Sequence, residues 1–250
     1  MIEFDDVRLA FGPAEVLRGV SLRVSDGETV VLLGPSGAGK TVLLKTVIGL
    51  LEPDGGDVRV DGRSVPNAPS SVLAEVRAQV GYVFQFSALF DSLTVEENVA
   101  LGLCHGRCRP EAPECRDRVE QALRAVNLDP TVGGRMPAEL SGGMRKRVAI
   151  ARAIVGGQRY VLYDEPTTGL DPVNAAVIAD LVRRLQEGWG VTSLVVTHDL
   201  EIAARVGDRW ALLWDGRIRL AAPPHVFRRT EDPAVRAFLG RAAERPVLVG

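Results

Sequence analysis

Apolar residues alternate with polar ones over residues 2–9 and again over 16–24, the period of strands with one wet face, and two such runs so close together predict an antiparallel pair. Residues 28–33 form a short apolar run of the kind a buried strand carries. Glycines at 34, 37 and 39 break it, and a helix is expected from 40 to about 48. A polar turn at 52–57 and strands near 58–60 and 81–84 follow. From about 87 to 155 the pattern becomes helical only. Thr94 followed by Glu97 has capping-box spacing, and Val119, Leu123 and Val126 recur on one helical face. Strands then return at 160–163, 191–197, 210–214 and 217–220, alternating with helices at about 173–187 and 200–206. No internal repeat interrupts the order. The expected fold class is α/β: a mostly parallel core sheet, an antiparallel β subdomain from the first strands and an inserted α-helical subdomain. In such sheets chemistry gathers at the carboxyl ends of the strands.

The 250 residues are 46% hydrophobic and 25% charged, with a formal net charge of −2. That profile excludes a disordered or collagen-like chain and allows a sizeable core. A balance so near zero gives no reason to expect nucleic acid as a partner. Residues 1–6 have neither the basic start nor the apolar run of a signal peptide, and no stretch is long enough to span a bilayer. A cytoplasmic location is therefore expected, with Cys104, Cys108 and Cys115 kept reduced. With His105 these cysteines could be drawn as a zinc site, but they lack a paired Cys-x-x-Cys and sit among Gly, Pro and Arg.

Four stretches carry candidate chemistry. Gly34-Pro35-Ser36-Gly37-Ala38-Gly39-Lys40-Thr41 fits G-x-x-x-x-G-K-[ST] and lies between a buried strand and a helix, as a phosphate-binding P-loop requires. Its glycines let backbone amides wrap phosphate oxygens, Lys40 would meet the β and γ phosphates, and the Thr41 hydroxyl is placed for Mg²⁺. At the end of the strand 161–165, Asp164 would hold Mg²⁺ through its water shell, and Glu165 is the candidate general base for an attacking water. The hydroxyl of Tyr163, in an otherwise apolar strand, is expected to find a partner. His198, just past the strand near 191–197, could donate to a γ-phosphate. Finally, Ser141, Gly142 and Gly143 open a basic amphipathic run over 144–154. Free amides and the positive end of the helix dipole make that start an anion site, although a plain Ser cap would look the same.

Leu140-Ser141-Gly142-Gly143, taken with the other motifs in this order, resembles the signature of the ATP-binding subunits of ABC transporters, and the resemblance runs from about residue 1 to 240. It implies a P-loop NTPase of ABC type that binds ATP with Mg²⁺, and a head-to-tail dimer of two copies in which the signature of one closes over ATP held by the P-loop of the other. It also implies that Gln85 senses Mg²⁺ and the attacking water, that Gly169-Leu170-Asp171 crosses the dimer seam, and that Phe11 stacks on adenine where the family commonly has tyrosine. The expected division is residues 1–86 with 156–222 as the ATP-binding core and β subdomain, 87–155 as the helical subdomain, and 223–250 as a helical tail.

A finer match lies in residues 84–101, FQFSALFDSLTVEENVAL, and in Met144 after the signature glycines. These look like the ATPases of MCE-type phospholipid transporters, the maintenance-of-lipid-asymmetry group. That resemblance implies a peripheral subunit on the cytoplasmic face of the inner membrane, an integral permease, a periplasmic MCE lipid-binding protein and a STAS-domain protein in some members. The family's longer C-terminal tail is short here, ending at residues 245–250. Phe86, Leu89 and Phe90 are apolar where a loop would be polar; contact with a partner is favoured for Phe86 and Phe90, and Leu89 fits contact or core equally. An importer ATPase for a small polar solute is the alternative. A soluble ABC protein acting on DNA or ribosomes would carry long coiled coils or two cassettes, and a GTPase would carry N-K-x-D; none of these is present.

Overall fold

The computed structural model describes residues 1–103 and 112–243. β1 (Ile2–Phe11) and β2 (Ala14–Val24) pair antiparallel, Ile2 opposite Val24 and Leu9 opposite Leu17, and β4 (Gly55–Val60) and β5 (Arg63–Ser64) complete a four-stranded sheet in the order β2-β1-β4-β5. The alternation read from the sequence is its packing: Ile2, Phe4, Val7, Leu9, Val20, Leu22 and Val24 are buried, and their neighbours face outward.

The second sheet is built on β3 (Thr29–Leu33), whose five residues are all buried. With β6 (Val80–Val83), β7 (Tyr160–Asp164), β8 (Thr192–Val196), β9 (Arg209–Trp214) and β10 (Arg217–Ala222) it forms six strands in the order β10-β9-β3-β8-β7-β6. Every pairing is parallel except β9 with β10. β3, β6, β7 and β8 are buried along their whole length, as strands covered on both faces must be.

Helix α1 (Lys40–Val47) follows β3. Between β6 and β7 come α3 (Val95–Ala100), α4 (Pro113–Ala125) and α5 (Gly142–Ile154). The capping box read at Thr94 is formed: Glu97 N donates to Thr94 Oγ1 at 3.3 Å, and Thr94 N donates to Glu97 Oε2 at 2.7 Å. Val119, Leu123 and Val126 are buried together, as their spacing required. Helices α6 (Pro172–Trp189) and α7 (Leu200–Val206) join β7 to β8 and β8 to β9, and α8 (Pro224–Phe227) and α9 (Pro233–Ala243) end the described chain.

The structure departs from the sequence reading in three places. The turn expected over 52–57 is already strand from Gly55, because Gly55 and Asp57 pair with Arg8 and Asp5 of β1, where one sheet face is wet and tolerates polar side chains. Helix α2 (Ser70–Gln79) was not anticipated; Val76 is its one buried residue, too little apolar surface to set a period. Cys115, expected as a reduced thiol, is buried and disulfide-bonded. The expectation rested on compartment, which says nothing about which sulfurs the fold brings together. Cys104, His105 and Cys108, and the tail at 245–250, lie outside the described residues.

Candidate active site

The P-loop leaves the end of β3 and turns into α1 at Gly39, which holds φ +95° as the residue before the helix. A Cβ there would lie 2.8 Å from Val16 Cγ1, so the turn needs glycine for conformation and for room. The Lys40 ammonium folds into the loop and donates to the carbonyls of Gly34 at 2.8 Å and Pro35 at 2.9 Å. Ser36, Gly37, Ala38, Gly39, Lys40 and Thr41 line a cleft of about 380 Å³ whose far side is Gln85 and Glu165.

β7 ends at the buried Asp164, beside this cleft's Thr41. Thr41 Oγ1, in the first turn of α1, donates to Asp164 Oδ1 at 2.8 Å, and Tyr82 donates to Asp164 Oδ2 at 3.2 Å. Burial, reinforced by the Asp164 charge and that hydrogen bond, pushes the Tyr82 phenol far above its ordinary range and keeps it a donor. A hydroxyl and a carboxylate within hydrogen-bond reach, with Gln85 on the same cleft, are hard oxygen donors that suit Mg²⁺ sharing its shell with phosphates and water. Among the described residues no cluster of three or more His, Cys, Asp or Glu is arranged to hold a metal unaided.

Glu165 is held in the left-handed region, φ +48°, a conformation unfavourable for a residue with a Cβ. Its amide donates to Val196 O at 3.0 Å, which ties the ends of β7 and β8 together. One carboxylate oxygen meets His198 Nδ1 at 2.9 Å, and the other accepts from Thr168 Oγ1 at 3.4 Å. The adjacent acids therefore diverge: Asp164 turns to Thr41, and Glu165 turns to His198.

Residues expected on the nucleotide but not brought to this cleft lie at the ends of other elements. Phe11, at the end of β1, is 51% exposed. Ser141 caps α5, accepting from Met144 N at 3.2 Å, and is exposed with Gly142 beside it. At Gly143 a Cβ would sit 2.8 Å from Asn174 Oδ1, so packing against α6 excludes a side chain. Asp171 caps α6, and its hydrogen bonds to Asn174 hold its carboxyl below the usual range.

Sequence reasoning missed two partners of the site. Tyr82 sits on a strand too short to suggest a role. Lys146 belongs to a basic helical run that reads as a solvated face, yet it is only 4% exposed and donates to the carbonyl of Gln85. Burial pushes its ammonium below the ordinary lysine value, while Asp164 and Glu165 act to keep the proton on.

Tyr163 also differs from expectation. Burial drives its phenol upward and the neighbouring Ser193 hydroxyl acts the other way, but the two oxygens do not reach hydrogen-bond geometry and both lack a partner among the described residues. A buried hydroxyl without a partner costs about 1–3 kcal/mol. Tyr163→Phe is therefore expected to raise stability by roughly 1 kcal/mol in urea titration with the slope unchanged; a loss of stability would show that the hydroxyl is satisfied.

Among the described residues no helix is long and apolar enough to cross a membrane. A family model described as ABC transporter matches residues 17–168. The chain is 41% identical over 244 residues to the sulfate/thiosulfate import ATP-binding protein CysA of Caulobacter vibrioides, across 96% of this chain and 70% of that one. It is 38% identical over 264 residues to protein TRIGALACTOSYLDIACYLGLYCEROL 3, chloroplastic, of Arabidopsis thaliana, across 99% of this chain and 75% of that one. Among solved structures, the dimeric post-hydrolysis state of the ATP-binding cassette MJ0796 bound to ADP and Pi is similar with a TM-score of 0.80 and 33% identity, covering 89% of this chain and 98% of that one. A P-loop facing a buried aspartate, an acid–histidine pair beside it and these likenesses over nearly the whole length lead to one assignment: the chain belongs to the ABC transporter family, as an ATP-binding subunit that hydrolyses ATP to drive transport.

Proposed function

We propose that this ATPase powers phospholipid movement by a separate membrane permease, working as a head-to-tail dimer of two copies on the cytoplasmic face of the inner membrane. In this reading Gly34 to Thr41 hold the phosphates, and Thr41, Asp164 and Gln85 would hold Mg²⁺, which neutralises charge developing on the phosphate oxygens. Glu165 takes the proton of the attacking water, and His198 orients Glu165 and reaches the γ-phosphate. Phe11 stacks on adenine. Ser141, Gly142 and Gly143 serve the partner copy's ATP, with Asp171 at the seam; the exposure of Ser141 and Asp171 outside the chain's own cleft supports action across a dimer. Residues 1–86 with 156–222 act as the core, 87–155 as a lever, and 223–250 as an appended tail. An MCE-type lipid-binding protein would join through the permease, and a STAS-domain protein is a further candidate partner.

The observation that carries the lipid reading is the segment after Gln85. Phe86 is 83% exposed and Phe90 57%, whereas Leu89 packs on the core. Phe90 stands beside a groove of about 290 Å³ lined by Val80, Tyr82, Leu101 and Arg152. Exposed aromatic rings next to a groove mark a contact surface. The Arabidopsis relative, named for a glycolipid, supports a lipid cargo; the importer named for sulfate supports a small polar solute instead.

Pulling the tagged full chain from native membranes separates the two. The expected companions are a permease carrying glycerophospholipid and an MCE-type protein; a permease with a soluble anion-binding partner would establish the importer. The Phe90→Asp variant is expected to bind ATP and to lose about 0.5 kcal/mol of stability at most, since the ring is exposed. It should nevertheless fail to bring down the permease, because the contact would bury an unpaired carboxylate. A variant that unfolds would place Phe90 in the core, and one that assembles normally would place the contact elsewhere.

A further inference from the structure

Helix α5 begins at the exposed cap Ser141 and, further along, sends two cationic side chains back against one short piece of backbone. The Lys146 ammonium donates to Gln85 O. The Arg152 guanidinium donates to Ser87 O at 2.8 Å and Ala88 O at 2.7 Å, a two-pronged grip on adjacent carbonyls. That backbone is not relaxed: Ser87 and Ala88 are both left-handed, φ +64° and +46°, although each carries a Cβ. Consecutive non-glycine residues in that region persist only where their surroundings over-determine them. Turn hydrogen bonds Ser87 N to Phe84 O and Ala88 N to Phe86 O are too few to do so alone. The same turn places Gln85 on the nucleotide cleft and Phe86 in solvent.

We propose that Lys146 and Arg152 are positioning residues that bolt the Gln85–Ala88 turn to the signature helix, so that Gln85 and the exposed Phe86 follow Ser141–Gly143 as one body when that helix start closes on a nucleotide. This rests on the reading above for the identity of the motions it links, but the bolt itself is a property of the single chain. Lys146 sets Gln85, hence the geometry of the hydrolytic site; Arg152 sets the strained pair, hence the presentation of Phe86. Arginine's planar fork suits the two adjacent carbonyls of Ser87 and Ala88, while a single ammonium suffices for Gln85 O.

The test uses the full chain and its Lys146→Met, Lys146→Arg and Arg152→Lys variants, read by amide hydrogen exchange and by steady-state ATP hydrolysis. In Lys146→Met, exchange should quicken at Ser87 and Ala88 and stay unchanged at Ala149 and Ile150 within α5. Its kcat should fall about tenfold to a hundredfold, the cost of a misplaced reacting geometry, with KM for ATP within about twofold. Lys146→Arg should restore most of kcat. Arg152→Lys, which keeps charge but loses the planar fork and its reach, should quicken exchange at Ala88 without lowering kcat as far as Lys146→Met. Unchanged exchange at Ser87 and Ala88 in both Lys146→Met and Arg152→Lys overturns the proposal, as does a fall in kcat that arginine at 146 cannot rescue. If the exchange effects appear while the permease proves to carry a polar solute, the bolt stands and only the lipid assignment falls.

Discussion

Glu165→Gln should bind ATP and assemble as the wild type does, yet turn over about 10²–10⁴-fold more slowly, the range a positioned general base contributes. The substitution keeps shape and removes proton acceptance. Its neighbours are not disturbed sterically: the Val196 carbonyl still receives the backbone amide, and Thr168 and His198 still face a polar side chain of the same size. Asp164 points away to Thr41 and Tyr82, so the metal-binding oxygens remain as they were. Nucleotide affinity, dimerisation on ATP by size-exclusion chromatography and phosphate release should be measured on one preparation. A variant with more than about a tenth of the wild-type rate, against the hundredfold minimum expected, would remove Glu165 from that role. His198→Ala should reproduce part of the loss, because the carboxylate would keep its charge and lose its orienting contact.

Lys40→Ala should weaken ATP binding to the isolated subunit by one to two decades, since a hydrogen bond to a charged group is worth about 1.5–3 kcal/mol. Ser141→Arg should leave that same affinity nearly unchanged. Ser141 is exposed and lies outside the cleft, and its hydroxyl caps α5 through Met144 N, worth about 1 kcal/mol of stability. What the arginine should abolish is ATP-dependent pairing of two copies, by occupying the space where the partner's phosphate would arrive. Equal losses of affinity in both variants, titrated at concentrations where the chain is monomeric, would contradict a signature that serves the other copy.

Much of this arrangement was legible before any coordinates, because it rests on local chemistry. The P-loop announces itself through glycines at positions where amides must turn inward, and the strand before it is apolar from Val30 to Leu33 because it is covered on both faces. Asp164, Glu165 and His198 were legible as residues at strand ends. Their pairings, Asp164 with Thr41 and Glu165 with His198, depend on which strands become neighbours and so could not be read. The omissions have the same cause. Helix α2 buries one residue and leaves no period, and Lys146 looks like any other lysine of a basic helix until the fold closes over it. The Cys115 bond is a tertiary fact that compartment arguments cannot reach.

The order of strands carries a consequence for how the chain is made. β3, the strand that ends in the P-loop, is an early segment, but both of its edges are paired with late ones: Thr29 lies beside Ser193 of β8, and Val30 lies beside Arg209 of β9. During synthesis its hydrogen-bonding edges and the apolar side chains of Val30 to Leu33 must wait for most of the polypeptide to leave the ribosome. Pairings so distant in sequence form slowly, and an unpaired apolar edge is a template for wrong partners in the meantime. A nascent chain halted before β8 would carry an intact phosphate-binding motif with no sheet to mount it on. The same halted chain would be a substrate for chaperones or proteases, and nucleotide could rescue it only after the ribosome had delivered the final third of the sequence.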